Sequence, residues 1–79
     1  MTDRLIDLFA NVLNVPASEL NEDSSPANTP AWDSLATINL VLAIEQEFKV
    51  KLRTQQIMSM STIALARATL IKLGAAGLA

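Results

Sequence analysis

The spacing of proline and glycine divides this 79-residue chain into a few long segments. All three prolines lie between residues 16 and 30, and the first glycine is Gly74. Proline interrupts a helix because it lacks an amide hydrogen and its ring blocks the preceding turn. Residues 15–32, which are also rich in Ser, Asn and Thr, are therefore predicted to form a long loop. A loop of this length within a small domain is normally either functional or disordered.

On both sides of this loop, apolar residues recur at spacings of three and four, the period of an amphipathic helix. The pattern predicts helices at 3–14, 34–48 and 62–73, and a shorter one at 54–58. The apolar stripe of the second helix is expected to face the core, and it consists of Leu35, Ile38, Val41, Leu42, Ile44 and Phe48, widened by Leu40.

Polar residues at the helix starts are the expected caps, because their side chains accept amides that the first turn leaves without partners. Asp33 is the expected cap of the second helix, and Gly74 is expected to end the last one. Residues 49–53 are interpreted as an extended connector in which Val50 and Leu52 reach the core. The expected caps of the other helices are Thr2 or Asp3, Thr54, and Ser61 or Thr62.

These segments predict an all-α fold, a small four-helix bundle with three long helices, a short third helix and a long loop between the first two. Its core is expected to be aliphatic, with the loop anchored by Leu20 and Trp32. Residues 1–79 are expected to form one domain, ordered over about 3–73 and frayed at 74–79. Because the chain starts with methionine and ends just after the last helix, we expect a stand-alone protein. A monomer is also expected.

The chain contains no cysteine and no histidine, and this excludes several classes of chemistry. Disulfides, thiol catalysis and the usual zinc-ligand sets are ruled out, and the commonest general base is missing. The net charge of −2 argues against nucleic-acid binding, which requires a concentrated basic face. Three bases, Lys49, Lys51 and Arg53, are interpreted as a solvated segment. No signal peptide and no membrane span are visible, so a cytoplasmic location is expected.

Ser34 is a candidate functional residue, but the sequence offers it no catalytic partner. A serine nucleophile requires a base, and the adjacent carboxylate of Asp33 is a poor base for a hydroxyl group. Glu45 and Glu47 are two residues apart, which places them on different sides of a helix. The acidic pair at residues 22–23 has no third ligand at metal-binding spacing. We therefore expect neither enzymatic activity nor a metal site.

The segment Asp33-Ser34-Leu35 resembles the signature of the acyl carrier protein family. In that family the serine of an Asp-Ser-Leu triplet, at a helix start after a long loop, carries 4′-phosphopantetheine through a phosphodiester. Residues 40–48 are similar to the end of the family's second helix, where acids precede a phenylalanine. Leu13-Asn-Val-Pro16 is similar to the exit of its first helix, and the resemblance covers residues 3–73.

The resemblance implies a cofactor, partners and a docking surface. Ser34 would carry the arm, which is derived from coenzyme A and supplies a thiol for acyl thioesters, with Asp33 and Leu35 as flanking recognition residues. A phosphopantetheinyl transferase would attach the arm, and acyl-loading ligases or synthases would use it. The implied docking positions are Asn39, Leu42, Glu45, Gln46, Leu52 and Ile57. Candidate linings of an acyl pocket, or alternatively ordinary core residues, are Ile38, Val41, Ile44, Ile57 and Ile63.

Two departures from the family pattern favour a specialised pathway over housekeeping fatty acid synthesis. Carriers of fatty acid synthesis have a strongly acidic second helix, whereas Asn39 and Gln46 are neutral here and three bases follow. The residue before the triplet, often glycine in the family, is Trp32. Two alternatives remain open, namely a peptidyl or aminoacyl carrier with the same arm and a helical interaction module without a cofactor.

Overall fold

The computed structural model describes residues 3–75, and all of the regular structure in this part of the chain is helical. The elements are α1 (Arg4–Leu13), a 3₁₀ turn (Ala17–Glu19), α2 (Ser34–Phe48), α3 (Thr54–Ser59) and α4 (Ile63–Lys72). This confirms the predicted all-α fold with three long helices, a short third helix and a long loop between the first two. No helix among the described residues has both the length and the apolar character needed to cross a membrane.

The helix ends follow from local side-chain chemistry. Asp3 caps α1, its Oδ1 accepting two first-turn amides at 3.0 and 3.2 Å. Thr62 caps α4, its Oγ1 accepting the amide of Leu65 at 3.1 Å. Both caps were predicted, whereas the alternative cap Thr2 lies outside the described residues. At Asn14 the chain leaves α1 in the left-handed conformation, with φ of 57°.

The start of α3 and the end of α4 differ in detail from their predicted boundaries. Thr54 was predicted to cap α3 but is its first helical residue, and Arg53 holds the cap position. The side chain that completes this start is Gln56, whose Oε1 accepts the amide of Arg53 at 2.8 Å. Beyond α4, Gly74 has a φ of 79°, and the amide of Ala75 donates to the carbonyl of Leu70 at 3.0 Å. Residues 76–79 of the expected frayed tail lie outside the described residues.

The core is mostly aliphatic, with three aromatic side chains placed among the aliphatic ones. On α2 the buried positions are Leu40, Ile44 and Phe48. The expectation that Leu35 and Ile38 face the core with the rest of the apolar stripe is wrong, since both are exposed. Leu42, a member of the stripe that was also a predicted docking residue, is exposed as the docking prediction requires. The core is formed by Leu5, Leu8, Phe9, Leu13, Leu20, Trp32, Leu40, Ile44, Phe48, Met60, Ile63, Ala66 and Leu70.

The long loop is attached along its length to the helices. Leu20 and Trp32 are buried, as predicted, and so is the side chain of Ser24. The loop also supplies acceptors to the start of α4, where the amide of Ile63 donates to the Ser24 carbonyl at 3.1 Å. The next amide of α4 donates to the carbonyl of Glu22 at 3.0 Å. Two amides that an isolated α4 would leave without partners are therefore satisfied by the loop.

Arg67 of α4 joins the loop to α1 through two carboxylates. Its guanidinium donates to Glu22 at 2.9 and 2.8 Å and to Asp3 Oδ2 at 2.6 Å. The hydrogen bonds that Arg67 donates to Glu22, and then the one it donates to Asp3, raise the pKa of Arg67 despite its partial burial. Partial burial raises the pKa of Asp3, but the Arg67 hydrogen bond and the backbone amides outweigh this and lower it overall.

Candidate functional site

Ser34 is exposed and is the first residue of α2. The preceding residue, Asp33, has an extended backbone and caps the helix, its Oδ1 accepting the amide of Ala36 at 2.8 Å. The leading amides of an α-helix have no partner within the helix, and the helix dipole makes this end positive. Ser34 therefore lies at a solvent-facing helix start whose potential suits a phosphodiester anion.

A chain of hydrogen bonds ties this helix start to the end of the long loop. The indole Nε1 of Trp32 donates to Thr37 Oγ1 at 3.1 Å, and this hydroxyl donates to the Asp33 carbonyl at 3.0 Å. The buried Trp32 ring packs edge-on against Phe9 of α1, with 5.1 Å between the ring centroids. The residues immediately before Ser34 are thus attached to both α1 and α2.

An exposed apolar face follows Ser34 along α2. It consists of Leu35, Ile38 and Leu42, which are 68%, 58% and 57% exposed and are spaced by three and four residues. On the neighbouring α3, Met58 is 77% exposed. The periodicity of α2 could not separate this face from the core face, because apolar side chains lie on both sides of the helix. Large apolar side chains clustered on a surface are typical of an interaction site.

A hollow of about 220 Å³ lies between α2 and α3, next to the exposed apolar face. Leu42 and Ile57, two of the predicted docking residues, both line it. The other lining residues are Thr37, Ile38 and Val41. Thr37 also bonds to Trp32 and Asp33, so one side chain adjoins both the hollow and the Ser34 helix start.

Of the candidate pocket linings, three lie in this hollow and two do not. Ile38, Val41 and Ile57 line it, whereas Ile44 and Ile63 are fully buried in the core. The prediction of a pocket lining therefore fits the first three residues, and the alternative of ordinary core packing fits the other two.

The remaining predicted docking positions lie in different surroundings. Asn39 and Gln46 are exposed on α2. Leu52 is half-buried and packs against the core. Glu45 has a structural contact, since its Oε2 accepts the amide of Leu52 at 2.9 Å and fixes the connector beside α2. The position of Glu45 seven residues before Leu52 gave no sequence signal for this bond.

Comparison with known proteins identifies the family. A family model described as the phosphopantetheine attachment site matches residues 3–68. An acyl carrier protein of Porphyromonas gingivalis is 35% identical over 60 residues, which cover 76% of this chain and 77% of that protein. The chain belongs to the acyl carrier protein family.

Two further acyl carrier proteins extend the comparison. That of Azobacteroides pseudotrichonymphae is 38% identical over 50 residues, covering 63% of this chain and 59% of that protein. That of Clostridium acetobutylicum is 26% identical over 61 residues, covering 77% of this chain and 79% of that protein.

Membership of the acyl carrier protein family defines the class of chemistry. The protein is a carrier rather than an enzyme, and its cofactor is 4′-phosphopantetheine, which confirms both predictions. The alternative of an interaction module without a cofactor does not hold. The described residues fit the group, because an exposed serine hydroxyl stands at a helix start. The chain has no cysteine, so the thiol that carries the acyl group belongs to the cofactor.

Proposed function

We propose that Ser34 carries the 4′-phosphopantetheine arm and that this acyl carrier protein presents acyl thioesters on it to partner enzymes. The observation that carries this assignment is the exposed hydroxyl of Ser34 at the capped start of α2. This position lies within the stretch of residues 3–68 that matches the phosphopantetheine attachment family. The arm, once attached, supplies the thiol that forms the thioester.

The surroundings of Ser34 support its role as a substrate of another enzyme. With no histidine in the chain and Asp33 occupied as a helix cap, the base that accepts the Ser34 proton belongs to the phosphopantetheinyl transferase. The Ser34 Oγ then attacks the phosphorus of coenzyme A that bears the pantetheine group, the pyrophosphate bond breaks and adenosine 3′,5′-bisphosphate leaves. The positive helix start stabilises the negative charge of the phosphodiester that results. Asp33 and the exposed side chain of Leu35 flank the hydroxyl and are the proposed recognition residues for that transferase.

The partner enzymes that load and use the arm dock on the surface that begins at Ser34. Leu42 and Ile57 contribute the hollow, and Asn39 and Gln46 contribute exposed polar groups. Leu52 and Glu45 act indirectly, because their mutual hydrogen bond holds the connector in place. The proposed docking partners include acyl-loading ligases or synthases, and the cytoplasm remains the predicted location.

The charge of this surface supports a specialised pathway rather than housekeeping fatty acid synthesis. Two exposed α2 positions, Asn39 and Gln46, are neutral, and the following connector carries three exposed bases. A partner selected for an acidic carrier would find little charge complementarity here. We therefore propose a dedicated partner set, with acyl cargo as the first candidate and peptidyl or aminoacyl cargo as the alternative. Parallel loading assays with acyl and aminoacyl ligases distinguish the two cargoes.

The attachment site is tested by incubating the protein with coenzyme A, Mg²⁺ and a broad-specificity phosphopantetheinyl transferase, followed by intact-mass measurement. The wild-type chain should gain one phosphopantetheine, and Ser34→Ala should gain none. Ser61→Ala is the matched control, because Ser61 is also exposed and lies next to a helix cap, Thr62, at the start of α4. Exposed substitutions of this kind change stability by about ±0.5 kcal/mol or less, so both variants should fold. An unmodified wild-type chain, or a modified Ser34→Ala chain, would contradict the assignment.

A further inference from the structure

Three basic side chains lie in the connector between α2 and α3. Lys49, Lys51 and Arg53 alternate with Val50 and Leu52, which pack against the core. All three bases are exposed. Lys51 and Arg53 alternate with the two apolar residues, as side chains of an extended segment do. Lys49, predicted to be part of the extended connector, instead ends α2 in the left-handed conformation with φ of 55°. Within residues 3–75, no ion pair involves any of them.

The connector is held close to the exposed apolar face. The hydrogen bond of 2.9 Å between the Leu52 amide and Glu45 Oε2 fixes it against α2. Glu45 lies three residues after Leu42, which is about one helical turn. The connector therefore passes α2 about one turn beyond the last residue of the apolar face, and its exposed bases lie toward that end of the face.

The acidic groups of α2 offset these bases only in part. Glu47 pairs with Arg4 of α1 at 3.3 Å, and Glu45 keeps its negative charge while it accepts the connector amide. The three bases of the connector therefore exceed the one adjacent carboxylate by two charges. The exposed polar residues of α2 near the apolar face, Asn39 and Gln46, are neutral.

The charge distribution along the chain follows the same division. Residues 34–62 carry three bases and two acids, whereas residues 1–33 carry one base and six acids. A basic border therefore adjoins an apolar surface on a chain whose net charge is −2.

We propose that the exposed apolar face and its basic border dock partner proteins whose contact surface combines an apolar hollow with acidic residues. An apolar centre with a charged rim is the usual arrangement of a protein interface, and opposite charges at the rim accelerate and orient association. The inference rests on Ser34 as the attachment point, because the face begins at the next residue, Leu35, so that an enzyme acting on an arm at Ser34 approaches next to it. This proximity favours a protein over a lipid surface as the occupant.

The test uses two synthetic amphipathic helical peptides with the same leucine and tryptophan positions. One peptide carries glutamate at its polar positions and the other carries lysine. Each is titrated into the ¹⁵N-labelled full chain, with and without the arm, and amide shifts are followed by NMR. The acidic peptide should bind at least about tenfold more tightly than the basic one and should shift the amides of Leu42, Lys51 and Met58. Its affinity should fall as NaCl is added, because exposed charges are screened.

Charge reversal on the carrier gives the matched control. Arg53→Glu should weaken binding of the acidic peptide by about threefold to fivefold, the range for one exposed pair. Lys72→Glu makes the same change at an exposed residue of α4 and should leave binding unchanged. Equal effects of the two substitutions, or equal affinity for the two peptides, would overturn the proposal.

Two other occupants of the face are outcomes of the same study. If vesicles of phosphatidylcholine and phosphatidylserine bind the chain more tightly than the acidic peptide does, the occupant of the face is an anionic membrane and the proposal is overturned. Concentration-dependent dimerisation that Leu42→Ser abolishes would replace it with a second copy of the chain. The peptide titration of the chain without its arm does not depend on modification of Ser34. Its failure is therefore distinguishable from failure of the proposed function.

Discussion

The loop between α1 and α2 buries Leu20, Ser24 and Trp32, whereas the six-residue helix α3 contains no buried residue. The loop is also bonded to the first turn of α4 and to Arg67. The anchoring of α3 is lighter: Ile57 borders a surface hollow, and Met60 is buried just after the helix ends. The irregular loop is thus held more firmly than the helix α3, because local stability depends on burial and tertiary hydrogen bonds and not on regular secondary structure alone.

This difference divides the surroundings of Ser34 into two sides. On the loop side, Trp32 and Thr37 attach the start of α2 to the bundle. On the other side, the hollow is closed by α3 alone among the described elements that line it with α2. We expect Ser34, the proposed attachment point, to stay fixed while the α3 side opens more readily to cargo or partners.

Truncation of the loop anchor should produce the largest effect. Trp32→Ala removes a buried ring packed on Phe9 and should lower the free energy of unfolding by about 3–5 kcal/mol. Trp32→Phe keeps an aromatic ring but loses the hydrogen bond to Thr37, so it should cost only about 1 kcal/mol from that bond. Urea denaturation followed by far-ultraviolet circular dichroism measures both. A Trp32→Ala protein as stable as wild type would show that Trp32 does not anchor the loop.

Removal of an arginine that anchors the loop should destabilise the protein more than removal of an arginine in the connector. Arg67→Ala loses the hydrogen bonds to Glu22 and Asp3 and should cost about 1–2 kcal/mol, reduced from a buried pair because both acids are over one-third exposed. The matched control Arg53→Ala alters an exposed arginine of the connector and should stay within about ±0.5 kcal/mol of wild type. The same urea experiment compares them, and equal costs would contradict the contrast.

Hydrogen exchange should report the contrast directly in the wild-type protein. The amides of Ile57 and Met60, bonded within and just after α3, should exchange at least about tenfold faster than those of Trp32 and Ile63. The latter two are bonded to Thr29 and Ser24 of the loop, at 2.9 and 3.1 Å. NMR-detected exchange after transfer into D₂O gives the four rates. Slower exchange in α3 than in the loop would reverse the assignment of the mobile side.

The smallest expected effect is the pH dependence of the ion pair between Asp3 and Arg67, which joins α1 to α4. The pKa of Asp3 in the folded protein lies below its ordinary value of 3.8. The ionised carboxylate therefore adds to the free energy of unfolding, and this stabilisation is fully present above pH 3.8. The contribution is lost as the pH falls through the lowered pKa of the folded state. Urea denaturation of wild type and Asp3→Asn should therefore show a stability difference near neutral pH that shrinks below pH 3.8. Asparagine also caps helices well, so the cap itself is retained. A difference that grows at low pH would contradict the assigned sign.

Much of the fold could be predicted because it depends on local chemistry. The bounds of α2 at Ser34 and Phe48 follow from a good capping residue, Asp33, and an uninterrupted helical period. The connector and the anchor Trp32 could be predicted for similar reasons, since an apolar side chain within a polar segment is stabilised by packing into the core. The clamp formed by Arg67 could not be predicted, because it joins residues 45 and 64 positions apart in sequence.

The candidate site divides in the same way. The position of Ser34 at a helix start was readable from the Asp-Ser-Leu triplet and the preceding loop. The orientation of Leu35 and Ile38 was not, because a helix that is apolar on two sides gives no single direction for its core face. The role of Thr37 as a bridge between Trp32 and Asp33 also required the three-dimensional structure.

The most direct test of Ser34 as the attachment point is localisation of the arm by tandem mass spectrometry. After modification with coenzyme A and transferase, trypsin cleavage following Arg4 and Lys49 releases residues 5–49, which contain four serines. Fragment ions should place one phosphopantetheine on Ser34 and leave the loop serines at 18, 24 and 25 unmodified. A phosphopantetheine on any of those three serines, with Ser34 unmodified, would contradict the assignment.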